Sequence, residues 1–169
     1  MKKTFEEINE IIKSSLGEDI IKGEFQKEGL MPFVVIDKAV LTPLCQFLYS
    51  NPSLYFDFLQ CITGIDNGPE KGTIDLVYNV YSIPFEHSYA FKIELNRNTE
   101  GENIPEVESI AEIWRTANWL ERETYDLVGV FFKGHTDLRR ILLPADWEGF
   151  PLRKDYHVQD YYHEIRVKY

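Results

Sequence analysis

Glu121, Arg122, Glu123, Tyr125 and Asp126 crowd three carboxylates, a guanidinium and a phenol onto barely two turns of a helix, and Gly134, His135, Asp137, Arg139 and Arg140 follow closely. Two kinds of chemistry fit such a cluster. Proton transfer would use Glu121 or Glu123 as a general base with His135 as partner, because it needs a group of tuned pKa within hydrogen-bond reach. A structural role would use buried or half-buried Glu and Arg side chains to tie a helix end to the loop after it, through charge-assisted hydrogen bonds of fixed geometry. The chain offers no GxSxG, HExxH, Walker or GxGxxG pattern, so the motifs favour the structural role over enzymatic turnover. Pairing of the same groups across a protein interface is the third reading. At helical spacing Arg122 and Asp126 are four apart and are expected to pair, with Glu121 and Tyr125 nearer the apolar stripe of Ala117, Leu120 and Val128.

The elements that must position this cluster follow from periodicity. Phe5, Ile8, Ile11 and Ile12 behind Thr4-x-x-Glu7 predict a helix over 4–15 with a capping box, ended by Gly17. Ile20 to Phe25 and Phe33 to Ile36 read as short strands with a turn at Glu28-Gly29. Asp37 caps a helix carrying Leu44, Phe47 and Leu48, which stops at Ser50-Asn51-Pro52. Three alternating strands follow: Leu54, Phe56, Phe58 and Ile62; then Ile74, Leu76, Tyr78 and Val80; then Tyr89, Phe91, Ile93 and Leu95. Asp66-Asn67-Gly68-Pro69 and Ser82-Ile83-Pro84-Phe85 supply turn chemistry between antiparallel neighbours. Asp57, Asp75, Lys92 and Glu94, out of phase with the apolar rows, predict a solvated outer sheet face. A helix is expected over Pro105–Trp114 from the stripe Val107, Ile110, Ala111 and Trp114, and another from Thr116 to Val128, closed by Gly129. The fold class is α+β: a mostly antiparallel sheet flanked by helices, with an extended irregular C-terminal arm.

Composition sets the boundaries of function. The chain of 169 residues is 44% hydrophobic and 27% charged, ordinary globular usage, and at this length a core forms without disulfides or metal. Its 18 basic and 28 acidic residues leave a net charge of −10, which repels nucleic-acid phosphates and anionic lipid and makes nucleic acid a poor partner. Residues 1–120 hold 10 basic and 19 acidic residues, net −9, whereas 121–169 hold 8 and 9, net −1. No segment approaches the ~20 apolar residues of a membrane span, and the Met1-Lys2-Lys3 start runs into Glu6-Glu7 rather than a signal-peptide apolar core, so a cytoplasmic location is expected. Cys45 and Cys61, without CxxC or a nearby His, read as reduced core thiols.

From Val130 onward no sustained period appears, yet Phe131, Phe132, Ile141, Leu142, Leu143, Trp147, Phe150 and Leu152 make this stretch too apolar for disorder. The sequence therefore divides into an α+β body over 1–129, including the Glu121-Arg122-Glu123 helix, and an arm over 130–169 that docks on a partner, with packing back onto its own domain as the other reading. Deleting the arm is expected to leave a folded body.

The string Glu121-Arg122-Glu123, Tyr125-Asp126, Gly129, Phe132, Gly134-His135, Asp137-Leu138-Arg139-Arg140-Ile141-Leu142, Asp146-Trp147-Glu148-Gly149 and Pro151-Leu152-Arg153-Lys154-Asp155-Tyr156 resembles the signature of the C-subunit family of respiratory complex I, the NADH-quinone oxidoreductase. Thr136 stands where that family commonly has proline, and Phe150 where it often has histidine. The resemblance implies a non-catalytic, cofactor-free subunit of the peripheral arm. It would pack against the large D-subunit, which helps form the quinone site, and lie near the B-subunit, which holds the terminal iron–sulfur cluster. NADH, FMN, iron–sulfur clusters and quinone would belong to other subunits, and the complex would sit on the cytoplasmic face of the cell membrane. Two isolated cysteines cannot supply the four thiolates of an ordinary cluster. An equivalent subunit of a membrane-bound hydrogenase or another quinone- or ferredoxin-linked complex is the alternative. In this picture Arg139, Arg140, Arg153, Lys154 and Asp155 lie in the docking arm, where arginine forks suit a partner's carboxylates.

Overall fold

The Thr4 hydroxyl accepts the Glu7 amide while the Glu7 carboxylate accepts the Thr4 amide, a reciprocal capping box that starts helix α1 (Phe5–Leu16) with Phe5, Ile8 and Ile12 buried. The structure is a computed structural model and describes residues 1–25, 30–99 and 101–167. After a 3₁₀ turn (Glu18–Ile20) come strands β1 (Gly23–Phe25) and β2 (Phe33–Ile36), a second 3₁₀ turn capped by Asp37, and helix α2 (Leu41–Ser50). The expected strand from Ile20 is thus shorter, and the Glu28-Gly29 turn lies outside the described residues.

A meander of β3 (Phe58–Asp66), β4 (Thr73–Ser82) and β5 (His87–Asn96) forms the body of a five-stranded sheet in the order β1-β2-β5-β4-β3. Only β2 and β5 run parallel; the other neighbours are antiparallel. Ile74, Leu76, Tyr78 and Val80 alternate inward against Tyr89, Phe91, Ile93 and Leu95, as period-2 patterning requires. The β3 prediction needs correction. Leu54 and Phe56 are buried but precede the strand, and a register shift between Leu59 and Cys61 resets its phase, so Leu59 and Ile62 face the core while Phe58 turns out.

The expected 105–114 helix is absent. Strand β6 (Glu106–Glu108) pairs in parallel with β7 (Phe131–Lys133), and turns follow it. The apolar stripe was a coincidence of spacing. Val107 points inward from a strand, Ile110 and Trp114 are buried from irregular chain, and the Trp114 indole donates to the Phe56 carbonyl at 2.7 Å. Strand pairing with β7 outweighs a weak local helix preference here. Helix α3 (Ala117–Val128) connects the two strands and lies on β3, where Gly64 leaves room: a Cβ there would meet Val128 Cγ2 at 2.9 Å.

The division at residue 129 runs through the core, because Val130 and Phe132 belong to the main apolar cluster. The described part of 134–167 is irregular apart from a small hairpin of β8 (Tyr161–Tyr162) and β9 (Ile165–Arg166), and it lies back over α3 and the β3–β4 end of the sheet. Cys45 is buried, Cys61 half-buried, and both are free thiols.

Removing residues 130–169 takes Val130 and Phe132 out of the core and is therefore expected to unfold the body, where the sequence reading expects a folded remainder. Phe132→Ala alone is expected to cost about 3–5 kcal/mol in a urea titration. A loss under about 1 kcal/mol would show that β7 is not part of the cooperative core.

Candidate functional site

The charged cluster sits where α3 meets the chain that follows it. Asp126 has no exposed side-chain surface. Its Oδ2 accepts the successive amides of Ile141, Leu142 and Leu143 at 3.0, 2.8 and 2.9 Å, and its Oδ1 accepts Arg140 Nη1 at 2.7 Å. Burial opposes the charge, but Arg140 and the three amides outweigh it and hold this carboxyl below the usual range. The i,i+4 pair expected from the sequence does not form. Arg122 instead donates to the Arg139 and Arg140 carbonyls at 3.1 and 3.2 Å, since a better-placed arginine already occupies Asp126.

Two guanidinium groups, that of Arg140 and that of Arg153, finish the C-terminal end of α3. Arg140 Nη1 also donates to the Asp126 carbonyl, and Arg153 donates to the Val128 and Gly129 carbonyls at 2.7 and 3.0 Å, where the helix leaves carbonyls without intrahelical partners and its dipole favours cations. Gly129 ends the helix in the left-handed region at φ 76°, and a Cβ there would lie 2.5 Å from the Phe150 ring. Phe150 in turn lies between Arg140 and Arg153, with ring centroid distances of 5.5 and 4.8 Å. The aromatic ring supplies a stacking surface for both guanidinium groups.

Glu121 faces the opposite way, into the core. It is fully buried and accepts the Ser109 hydroxyl at 2.6 Å and the Ile110 amide at 2.7 Å, which fixes the first half of α3 to the chain after β6. His135 brings its Nε2 to 3.9 Å from Glu121, also with no exposed side-chain surface. Its Nδ1 accepts the Asp137 amide and so carries no proton, which leaves Nε2–H to donate to the Asn118 carbonyl at 3.0 Å. Burial pushes the Glu121 carboxyl up to about 7, against the pull of its two donors. The two sequence-predicted partners are thus adjacent and both buried. Glu123 is exposed on the helix, and Tyr125 is half-buried against the core cluster. Asp137 pairs with the exposed Arg139 at 3.0 Å, and Gly134 turns the chain at φ 86°.

Lys154 and Asp155 engage groups that the sequence reading missed. The Lys154 amide donates to Asp66 Oδ2 at 2.8 Å, Arg97 donates to Asp66 Oδ1 at 2.8 Å, and Arg97 also pairs with Asp155. Asp66 was legible only as part of a turn; its side chain accepts the Gly68 amide and then anchors a residue far along the chain. Near the end, Asp146 accepts the Tyr162 hydroxyl at 2.9 Å and contacts His163 Nε2 at 2.8 Å, holding the hairpin. The arrangement is a set of rigid ties. A cleft of about 660 Å³ bordered by Lys22, Asp37, Glu94 and Glu106 contains none of the signature residues. No three His, Cys, Asp or Glu side chains among the described residues are grouped to hold a metal.

The family model described as "Respiratory-chain NADH dehydrogenase, 30 Kd subunit" matches residues 34–162. This chain belongs to that family. It is 41% identical over 162 residues to the NADH-quinone oxidoreductase C-subunit of Chlorobium phaeobacteroides, covering 95% of this chain and 93% of that one. It is 39% identical to the C-subunit of Chloroherpeton thalassium, of whose length it spans 63%. A chain in the structure of the membrane-bound sulfane sulfur reductase, an archaeal respiratory membrane complex, shares the fold with a TM-score of 0.72, 97% coverage of both chains and 19% identity. The chain is a subunit of an NADH-quinone oxidoreductase-type complex, and the matched range contains the whole of the α3 joint.

Two carboxylates of this subunit respond to pH with opposite sign. Asp126 is depressed, so its contribution is present above the ordinary carboxylate range and lost as pH falls through its folded pKa. Asp126→Ala, which strands Arg140 and three amides, is expected to cost about 3–5 kcal/mol at pH 7. Glu121 is raised from 4.5 to about 7, so its contribution is full below about 4.5 and lost as pH climbs through about 7. Glu121→Gln keeps the Ile110 bond through its amide oxygen, donates an N–H to the Ser109 oxygen in place of the bond accepted there, and removes that titration: relative to the native chain it should gain about 3 kcal/mol between pH 4.5 and 8 in urea titrations. A difference that does not vary with pH would contradict this account.

Proposed function

We propose that this chain is a non-catalytic, cofactor-free structural subunit in the peripheral arm of an ion-translocating NADH:quinone oxidoreductase. In that complex NADH is oxidised through FMN and iron–sulfur clusters in other subunits, and electrons reach quinone in a module that this chain braces, against the large quinone-site D-subunit and the cluster-bearing B-subunit. The location proposed is the cytoplasmic face of the cell membrane, without a span of its own; among the described residues no helix is long and apolar enough to cross a membrane. The observation that carries the reading is that the signature groups at the joint spend their hydrogen bonds on this chain itself: Asp126 on three amides and Arg140, Arg122 and Arg153 on carbonyls, and Glu121 on Ser109 and Ile110. Such residues set a shape, and quinone chemistry depends on fixed geometry between subunits.

The arm remains the proposed docking element, through what its folding back leaves outside. Leu142, Leu152, Val158, Tyr161 and Ile165 are each more than half exposed. The alternative, an equivalent subunit of a related complex with another donor or acceptor, is supported by the fold shared with the sulfane sulfur reductase chain.

Deleting the gene in its host and assaying membranes separates these readings. Loss of NADH-dependent quinone reduction, with no activity of the purified chain alone, is the expected result; intact NADH–quinone activity with loss of a different membrane redox activity would favour the alternative. Leu142→Glu and Leu152→Glu together should reduce co-purification of other subunits roughly ten-fold or more while leaving the isolated chain folded. Unchanged co-purification would remove the arm from the interface.

A further inference from the structure

All three helices lie on one face of the five-stranded sheet. Phe5 and Asn9 of α1 meet Tyr89, α2 buries Leu44, Cys45 and Leu48 in the cluster that holds Tyr78, and α3 crosses Gly64. The residues that alternate with this core row point to the other face: Phe33 and Val35 of β2, Val77 and Tyr81 of β4, and Phe58 and Ile65 of β3. Among the described residues no helix covers them. Phe58 and Ile65 are 38% and 44% exposed, and the other four are half-buried.

A sheet face that looks onto water is normally polar in alternation with the core row. This one is mixed, with Thr63, Asn79, Ser88 and Lys92 set among the apolar residues, and its charges cancel locally although the chain carries −10: Lys92 binds Asp75 at 3.0 Å, and Lys71 answers Glu94 at 3.5 Å. The sequence expectation of a solvated outer face holds for Glu94 but not for Asp75, which is 7% exposed near the start of β4. Its Oδ1 is buried and has no hydrogen-bond donor. A buried carboxylate oxygen left without a donor is costly, and native structures keep few of them.

We propose that this bare sheet face is a second docking surface, occupied by an apolar patch of a different subunit that brings a basic side chain or an N–H donor to Asp75. The proposal rests on the reading of the chain as a subunit of a larger complex and adds a contact on the side away from the arm. A second copy of the chain is the wrong occupant on charge: Lys92 and Lys71 of this face are already paired with its own Asp75 and Glu94, so a copy brings neither as a free cation, and two chains of −10 each repel, whereas a neutral or basic subunit meets no such repulsion.

The test uses the full tagged chain expressed in its host in place of the native one. Val77→Arg puts a charge on a half-buried site of the face, where the long side chain can reach water, so the isolated chain should keep its melting temperature within about 4 °C. In cells the variant should co-purify with other oxidoreductase subunits roughly ten-fold less than the native chain, whereas Glu10→Arg, on the exposed side of α1, should assemble normally. A benzoylphenylalanine at Tyr81, close in shape to the ring it replaces, should cross-link to a different subunit, and this decides the matter if Val77→Arg fails to fold. Native-level assembly of Val77→Arg, or a cross-link joining two copies of this chain, overturns the proposal. A native chain that co-purifies with no oxidoreductase subunit overturns both this inference and the function it rests on, whereas normal native assembly with an indifferent face overturns this one only.

Discussion

A single buried carboxylate organises the end of this molecule. Asp126 sits on the last turn of α3 with no contact with water, and a charge in that position is tolerable only because one oxygen collects three consecutive backbone amides and the other meets a guanidinium. The constraint acts in both directions. The carboxylate needs those donors, and residues 141–143, which have no strand or helix to satisfy their amides, need the carboxylate. The irregular path of the chain after residue 140 is therefore the path that a fixed anion imposes.

The arginines extend the same logic along the helix end. Carbonyls of the last turn of α3 and of the loop beyond it are taken by Arg140, Arg153 and Arg122, each of which reaches back from, or across to, a segment without regular structure. Phe150 fills the space between two of these guanidinium planes and presses on Gly129, so hydrogen bonding and stacking choose one arrangement. Glu121 performs the corresponding task at the other end of the helix for the chain leaving β6. Helix α3 is thus fastened at both ends by ionisable groups rather than by apolar contact alone, which explains why this stretch is so rich in charge.

How much of this was legible in the sequence depended on range. The capping box at Thr4, the period-2 rows of β4 and β5 and the Gly129 stop of α3 are local patterns, and local propensity and tertiary fold agree on them. The importance of Glu121, Asp126, His135 and Arg140 was also visible, as an unusual density of charge. Their partners were not. Asp126 was assigned to Arg122 because spacing along one helix is all that a linear pattern offers, whereas its true partners lie across a loop. The Pro105–Trp114 stripe misled because a three-residue strand is too short to show its period, and Asp66, Arg97 and Phe150 carry no mark of their distant contacts.

The parallel pairing of β2 with β5 has a consequence for how the chain comes into being. Val34 finds its neighbour Phe91 only after the whole β3–β4–β5 meander has been synthesised, while the meander itself zips from adjacent hairpins. Helix α1 and the first two strands must therefore wait, apolar side unprotected, for more than half the polypeptide to leave the ribosome, and long-range closure of this kind is slow and prone to sticking. The first 84 residues hold 7 basic and 12 acidic side chains, net −5, a surplus that adds mutual repulsion between nascent copies during the delay.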